Sequence, residues 1–199
     1  VFGESILSRG VPMDEARTYA CAGCSEVQIP GKTASLLMVW LSDLKILENA
    51  LNNGRDMLTG KQFGPKTGEV DEFTCIEDVI NAYKEQLKYY YKQAAAIMNT
   101  EADVHQRVQP LPWMSVTNGT CIEKGTEIWR GGATYYWTSL IALVGMANVG
   151  NSIAAIKKVC FDDKLYTLRE VMDACKVNFE GHEDMRQILL NVDKFGNDV

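Results

Sequence analysis

The sequence predicts an α/β fold that is rich in helix and incomplete by itself. Three observations carry that expectation. From Ile76 into the low hundreds, Val79, Ala82, Tyr83, Leu87, Tyr90 and Ala94 recur at helical spacing. The segment Ala133-Thr134-Tyr135-Tyr136-Trp137-Thr138 has the β-branched and aromatic content of a buried strand. It runs into Leu140-Ile141-Ala142-Leu143-Val144-Gly145, a run whose period alone does not separate strand from helix.

Taken from the N-terminus, Pro12 followed by Met13 to Tyr19 predicts a short helix, with Pro near its first turn and Asp14 and Glu15 close behind, where the helix dipole favours acids. Gly23, Cys24, Ser25 and Glu26, with Pro30 and Gly31 after them, predict a tight loop. There Gly supplies unusual backbone angles and Pro fixes its own. Ser35 to Leu51 reads as an apolar helix that stops at Asn52-Asn53-Gly54. Gly60 to Glu72 reads as loop, and Pro110-Leu111-Pro112-Trp113 as extended chain after the long helix. A short helix is expected near Cys121 to Gly125, and another from Asn151-Ser152 through Cys160. Two more are expected at Leu168–Phe179, capped by Thr167, and at His182–Val192. The consecutive Tyr89, Tyr90 and Tyr91 point in different directions on a helix, which favours packing over an aromatic binding surface.

The length of 199 residues, with 46% hydrophobic and 23% charged, suits one globular domain or a large piece of one. A net charge of -6 without any run of Lys or Arg gives a nucleic-acid role no electrostatic support. No signal peptide is visible, and the apolar runs are too short or too interrupted to span a bilayer, so no membrane role is expected. The sequon Asn118-Gly119-Thr120 is accordingly read as chance. Six cysteines in such a chain are expected to be thiols, with Cys75, Cys121, Cys160 and Cys175 behaving as small buried hydrophobes. Cys21 and Cys24 form a lone C-x-x-C, and a closed zinc site needs a second ligand pair that His105 and His182 are not spaced to give. Thioredoxin-type redox chemistry lacks its expected preceding strand, because residues 13–17 read as helix.

What remains is a thiol and a carboxylate two residues apart in one loop, Cys24 and Glu26, able to share a small volume. Their setting is similar to a known family. Arg9-Gly10-Val11-Pro12-Met13-Asp14-Glu15-Ala16-Arg17, Gly23-Cys24-Ser25-Glu26 and Pro30-Gly31-Lys32-Thr33 occur in order. They are followed by Leu51-Asn52-Asn53-Gly54-Arg55-Asp56, Gly64-Pro65-Lys66-Thr67-Gly68, Pro110-Leu111-Pro112 and Gly131-Gly132-Ala133. Last come Ala147-Asn148-Val149-Gly150-Asn151-Ser152, Ala154-Ala155-Ile156-Lys157-Lys158 and Lys194-Phe195-Gly196-Asn197-Asp198. Over nearly its whole length the chain resembles the glycyl radical enzymes. The resemblance is to the branch with the choline, glycerol and propanediol lyases and the arylacetate decarboxylases.

The resemblance implies a helix-rich part of a ten-stranded α/β barrel with the Cys loop inside it. It implies a lyase in which Cys24 becomes a thiyl radical and abstracts a substrate hydrogen. Glu26 then acts as acid/base in a radical elimination that cleaves a C–O, C–N or C–C bond. An arylacetate decarboxylase of the same family, or a non-catalytic structural fragment, is the alternative. A thiyl radical needs a neutral S–H, which an apolar loop without a nearby cation would preserve, and desolvation of Glu26 would raise its pKa. No metal or organic cofactor is implied. The glycyl radical itself is expected in a missing C-terminal region, since Gly181 and Gly196 lack the family's Arg-Val-x-Gly-Tyr context and the chain begins at Val1 without Met.

The expectation for residues 1–199 is therefore a central fragment of the barrel domain, inactive alone. Its implied partners are a small-molecule substrate and a radical S-adenosylmethionine iron–sulfur activating enzyme. The full-length enzyme is expected to be a homodimer in the cytoplasm of an anaerobic bacterium, with a bacterial microcompartment as a further setting. Where polar lyases of the family show Gly-Trp-His-Asp and Tyr-Asn-Phe-x-Gly-Pro-Gln, this chain has Ala34-Ser35-Leu36-Leu37-Met38 and Tyr135-Tyr136-Trp137-Thr138-Ser139-Leu140-Ile141. That exchange points to a substrate less polar than choline or glycerol, with Trp113, Tyr135 and Trp137 as pocket candidates.

Overall fold

The computed structural model describes residues 2–23, 26–34, 38–136 and 140–195. Cys24 and Trp137 lie outside the described residues. The chain runs α1 (Phe2–Leu7), α2 (Met13–Ala16), β1 (Ala20–Ala22), β2 (Glu26–Gln28), β3 (Met38–Ser42), α3 (Asp43–Leu51) and α4 (Ile76–Val108). It continues through α5 (Pro112–Val116), α6 (Gly119–Lys124), β4 (Leu140–Val144), α7 (Met146–Ile156), α8 (Leu168–Lys176) and α9 (Glu183–Leu190). β1 pairs with β2 in one two-stranded sheet, and β3 with β4 in another. Two compact units are present, residues 1–39 with 94–142 and residues 40–93 with 143–199.

In the first unit, β1 and β2 are antiparallel, with Ala20 opposite Gln28, Cys21 opposite Val27 and Ala22 opposite Glu26. Beside them Ile6, Val11, Ala16 and Ile29 are buried, with Leu7, Val27 and Tyr135 packed against them. A second cluster gathers Met98, Cys121, Ile128, Trp129 and Ala133 around Ala34. In the second unit, Leu47 and Leu51 of α3 meet Ile76 and Val79 of α4, Val149 and Ile156 of α7, and Leu168 and Met172 of α8. That is the amphipathic solution by which each helix buries its apolar face.

The long helix, the α6 region, α8 and α9 appear where the sequence predicts them. Thr167 and Glu170 form a reciprocal capping box at the start of α8, in which the Glu170 carboxylate accepts from Thr167 N at 2.7 Å and Thr167 Oγ1 accepts from Glu170 N at 3.2 Å. The stop after Leu51 is equally direct. Asn53 adopts φ 54°, and its Oδ1 accepts from the backbone of Thr67 (2.9 Å) and Gly68 (3.1 Å). Gly54 has φ 77°, and a Cβ there would stand 2.2 Å from the Pro65 carbonyl oxygen, so only glycine fits. Two of the motifs quoted above thereby fold into one hydrogen-bonded piece.

Several expectations are corrected. The helix foreseen from Ser35 to Leu51 begins only at Asp43, because Ser42 caps it by accepting from Lys45 N (3.4 Å). Met38–Ser42 is instead a strand of alternating burial, its apolar run decided by pairing with β4. The helix at Met13 ends at Ala16, with Arg17 as C-cap, and residues 20–22 join the hairpin. Pro112 opens α5 at its first position, where a missing N–H costs nothing, rather than continuing an extended segment.

The strand expected at Ala133–Thr138 is reduced, among the described residues, to a parallel bridge between Thr33 and Tyr135. The Tyr136 hydroxyl accepts from Ala133 N (3.0 Å) and donates to the Ile128 carbonyl (2.5 Å), which turns the backbone there. Leu140–Val144 resolves as strand. The helix expected from Asn151 starts at Met146 and passes at Lys157–Asp162 into a π-helical turn. α1 has no counterpart in the sequence reading.

Candidate active site

β1 and β2 are joined by residues 23–25, so Glu26 is the first residue of the returning strand. It is half-buried. Its carboxylate lies against Gly23: a Cβ built on Gly23 would stand 2.7 Å from Glu26 Oε2 and 3.1 Å from both Cδ and Oε1. Gly23 has φ 65°, the left-handed region in which glycine carries no steric penalty. The acid therefore folds back over Gly23, the residue that precedes Cys24 in the sequence.

The far end of β2 is fixed by polar contacts. Thr33 Oγ1 accepts from Ile29 N (2.9 Å), closing the Pro30–Thr33 turn. The Lys32 carbonyl accepts from Thr134 N (2.9 Å) and Tyr135 N (3.1 Å), and Ala34 N donates to the Tyr135 carbonyl (2.8 Å). Side chains repeat the stitch. Lys32 Nζ donates to Glu15 Oε1 (2.8 Å), and the Tyr135 hydroxyl donates to Glu15 Oε2 (2.8 Å). The Lys32 hydrogen bond, then that of Tyr135, holds the Glu15 carboxyl below its ordinary range. Burial first, and Glu15 second, push the Tyr135 phenol up.

Tyr135, a pocket candidate, thus directs its hydroxyl to Glu15 and its ring to the Val11 and Ile29 cluster. Trp113 stands 85% exposed on α5. The structure brings Glu26 to Gly23, and Tyr135 to Glu15 and Lys32. Sequence reasoning gave Glu15 a helix-dipole role alone and Lys32 none, although both sit in quoted motifs on either side of the Cys24 segment, with opposite charges.

The thiols divide by burial. Burial pushes Cys121 and Cys175 up, and Cys160 to about 11, so these sulfurs stay protonated. Cys121 is buried as expected, whereas Cys75, Cys160 and Cys175 are only partly so, and Cys21 is exposed. Among the described residues no group of three or more His, Cys, Asp or Glu side chains could hold a metal ion. No described helix is long and apolar enough to cross a membrane.

Comparison with known proteins settles the relationship. The family described as pyruvate formate lyase-like matches residues 1–199. The chain belongs to this family. A trans-4-hydroxy-L-proline dehydratase of Clostridioides difficile is 35% identical, over 98% of this chain and 25% of its own length. A (2S)-3-sulfopropanediol dehydratase of Klebsiella oxytoca is 32% identical, over 98% of this chain and 24% of its own. The glycerol-bound B12-independent glycerol dehydratase of Clostridium butyricum superposes with a TM-score of 0.90 at 34% identity, covering 100% of this chain and 25% of that one. The chain thus spans about a quarter of the length of these relatives. Its fold is a helix-rich portion of the α/β barrel of the pyruvate formate lyase-like glycyl radical enzymes, as the sequence resemblance implied.

Proposed function

We propose that these 199 residues are the Cys-loop portion of a longer glycyl radical lyase, with Cys24 as hydrogen-atom carrier and Glu26 as acid/base. The observation that carries the reading is the Glu26 carboxylate folded over Gly23, the residue before Cys24, in a chain of this family. The family's glycyl radical, installed by a radical S-adenosylmethionine activating enzyme, supplies the oxidising equivalent from outside these residues.

The neutral Cys24 thiol gives up its hydrogen atom, and the sulfur then takes one from a substrate C–H, leaving a carbon radical. Glu26 accepts a proton from the substrate as the bond to the neighbouring group breaks and hands it on to the departing group. Cys24 finally returns that hydrogen atom to the product radical, and the thiyl so formed takes back the hydrogen atom first given to the glycyl radical, so thiol, glycyl radical and hydrogens are all restored over the cycle. Exclusion of water from such a site would protect these intermediates. The run Ala34-Ser35-Leu36-Leu37-Met38 in place of the Gly-Trp-His-Asp of polar lyases supports a substrate less polar than choline or glycerol.

The test uses the activated full-length enzyme. Cys24→Ser should abolish turnover while the glycyl radical signal in electron spin resonance persists. Glu26→Gln should lower kcat roughly 10²- to 10⁴-fold, the usual worth of a positioned acid/base. Turnover within twofold of the parent in either variant overturns the reading. Release of carbon dioxide rather than water, amine or another leaving group would place the enzyme with the decarboxylases.

A further inference from the structure

At Gly23 the missing side chain makes room for a carboxylate, as at Gly64 it makes room for the Gln86 amide. Gly10 has φ 82° and nothing within 4 Å of where a Cβ would stand, so glycine there answers a backbone demand alone. Gly54 and Gly132 face backbone carbonyl oxygens, each at 2.2 Å, so a side chain there would push on the chain itself. At Gly23 the three nearest atoms are Oε2, Cδ and Oε1 of one carboxylate, that of Glu26. The space is occupied by the end of a flexible side chain, which would yield where a backbone would not.

From this we infer that Gly23 is the positioning residue for Glu26, and that its absent Cβ is the seat of the carboxylate. The hairpin register fixes the relation. Glu26 opposes Ala22, so its side chain leaves β2 beside the connection and lies back over residue 23. Any L-residue at 23 carries a Cβ into that seat and swings the carboxylate away from residue 23. The left-handed φ adds a modest backbone cost, which a non-glycine residue meets wherever φ is positive. The inference rests on the proposed role of Glu26 for its catalytic consequence, but its geometric content does not.

Activated full-length enzyme carrying Gly23→Ala is compared with Gly10→Ala, which imposes similar backbone strain away from the carboxylate. Displacing a reacting group by about 1 Å can cost on the order of 100-fold, so Gly23→Ala should lower kcat roughly that much, with KM within about twofold. It should also shift the limb of the pH–rate profile that Glu26→Gln removes, which a mere loss of folded protein would not do. Gly10→Ala should do neither.

If Gly23→Ala matches Gly10→Ala in kcat and in pH profile, the inference is overturned. If Gly23→Ala fails to fold, Gly23→Ala/Glu26→Ala decides: recovery of folded enzyme supports the seat, and equal failure overturns it. Full turnover in Glu26→Gln would sink the catalytic role of Glu26 instead. The stability coupling between positions 23 and 26 would still read the geometry, as a smaller cost of Gly23→Ala in the Glu26→Ala background.

Discussion

Beside β1 and β2 the described buried cluster is Ile6, Val11, Ala16 and Ile29, one of the four an alanine. Among α3, α4, α7 and α8 it is nine residues, including Leu47, Leu51, Val79, Ile156 and Met172. The first region adds a Glu15, Lys32 and Tyr135 clamp, a run of backbone bonds from the Pro30–Thr33 turn to residues 134 and 135, and a left-handed glycine. The second relies mainly on filled volume, with the Asn53 and Asp56 hydrogen bonds confined to the chain between α3 and α4. Apolar packing is non-directional and tolerates no loss of bulk, whereas hydrogen bonds and backbone angles aim a side chain at little cost in area. The difference teaches that the hairpin with the candidate acid is placed by direction, and the helical unit by volume.

The largest separation between the regions should come from side-chain truncation. Leu47→Ala is expected to cost about 2–5 kcal/mol, a transfer term plus a cavity. Hydrogen exchange in the full-length enzyme should show it as lost protection through α3, α7 and α8. Val11→Ala removes two methyl groups from the small cluster and should cost about 1–2 kcal/mol. Equal losses of protection in the two regions would break the comparison.

The same contrast explains what was legible. Elements placed by volume advertise themselves through period: α4 shows its apolar spacing over several turns, and α8 adds the Thr167 and Glu170 cap. Elements placed by pairing do not. Met38–Ser42 reads as the start of the next helix until a partner strand exists, and Ala20–Ala22 is three residues long with no period at all. In the candidate site, Gly, Cys, Glu and Pro as residue types predict a tight loop through Glu26, whereas Glu26 opens β2 because pairing with Ala22 carries the strand up to it. The seat over Gly23 was not legible, because it depends on how a side chain three residues away folds back. Nor was the clamp, since Glu15 and Tyr135 meet across 120 residues. Opposite charges at Glu15 and Lys32 in flanking motifs were the only local hint.

A smaller effect separates the regions by acid. In the helical unit Asp56 is 5% exposed and pairs with Lys45, and its Oδ2 accepts from Thr59 N (2.8 Å) and Oγ1 (2.6 Å). Those contacts, Lys45 foremost, lower its pKa from 3.8 to about 2. A lowered carboxylate pKa contributes stability that is full above the unfolded value and is lost as pH falls through the folded one. Protection around residues 45–59 should therefore decline between about pH 4 and about pH 2. Asp56→Asn should remove that pH dependence. A parent protein with no change across the window would show that volume alone holds this unit.

The smallest effect tests the clamp itself. Glu15→Gln keeps an acceptor for the Tyr135 hydroxyl but removes the charge that Lys32 pairs with. The pair is partly exposed, with side chains 23% and 39% accessible, so screening limits its worth and the fold should persist. What changes is direction. Because burial is the larger cause of the raised Tyr135 phenol and Glu15 the second, Glu15→Gln should lower that pKa only part of the way, leaving it above 10.0. Nuclear magnetic resonance of ¹³C-labelled tyrosine would follow it, with hydrogen exchange reporting residues 29–34. The Glu15 carboxyl is itself lowered, so the parent clamp should be full above about pH 4.5 and loosen as pH falls below it, whereas Glu15→Gln should be insensitive there. A Tyr135 phenol that returned fully to 10.0 would mean the hydroxyl is held by charge alone, and the apolar cluster beside the hairpin would then contribute nothing to its placement.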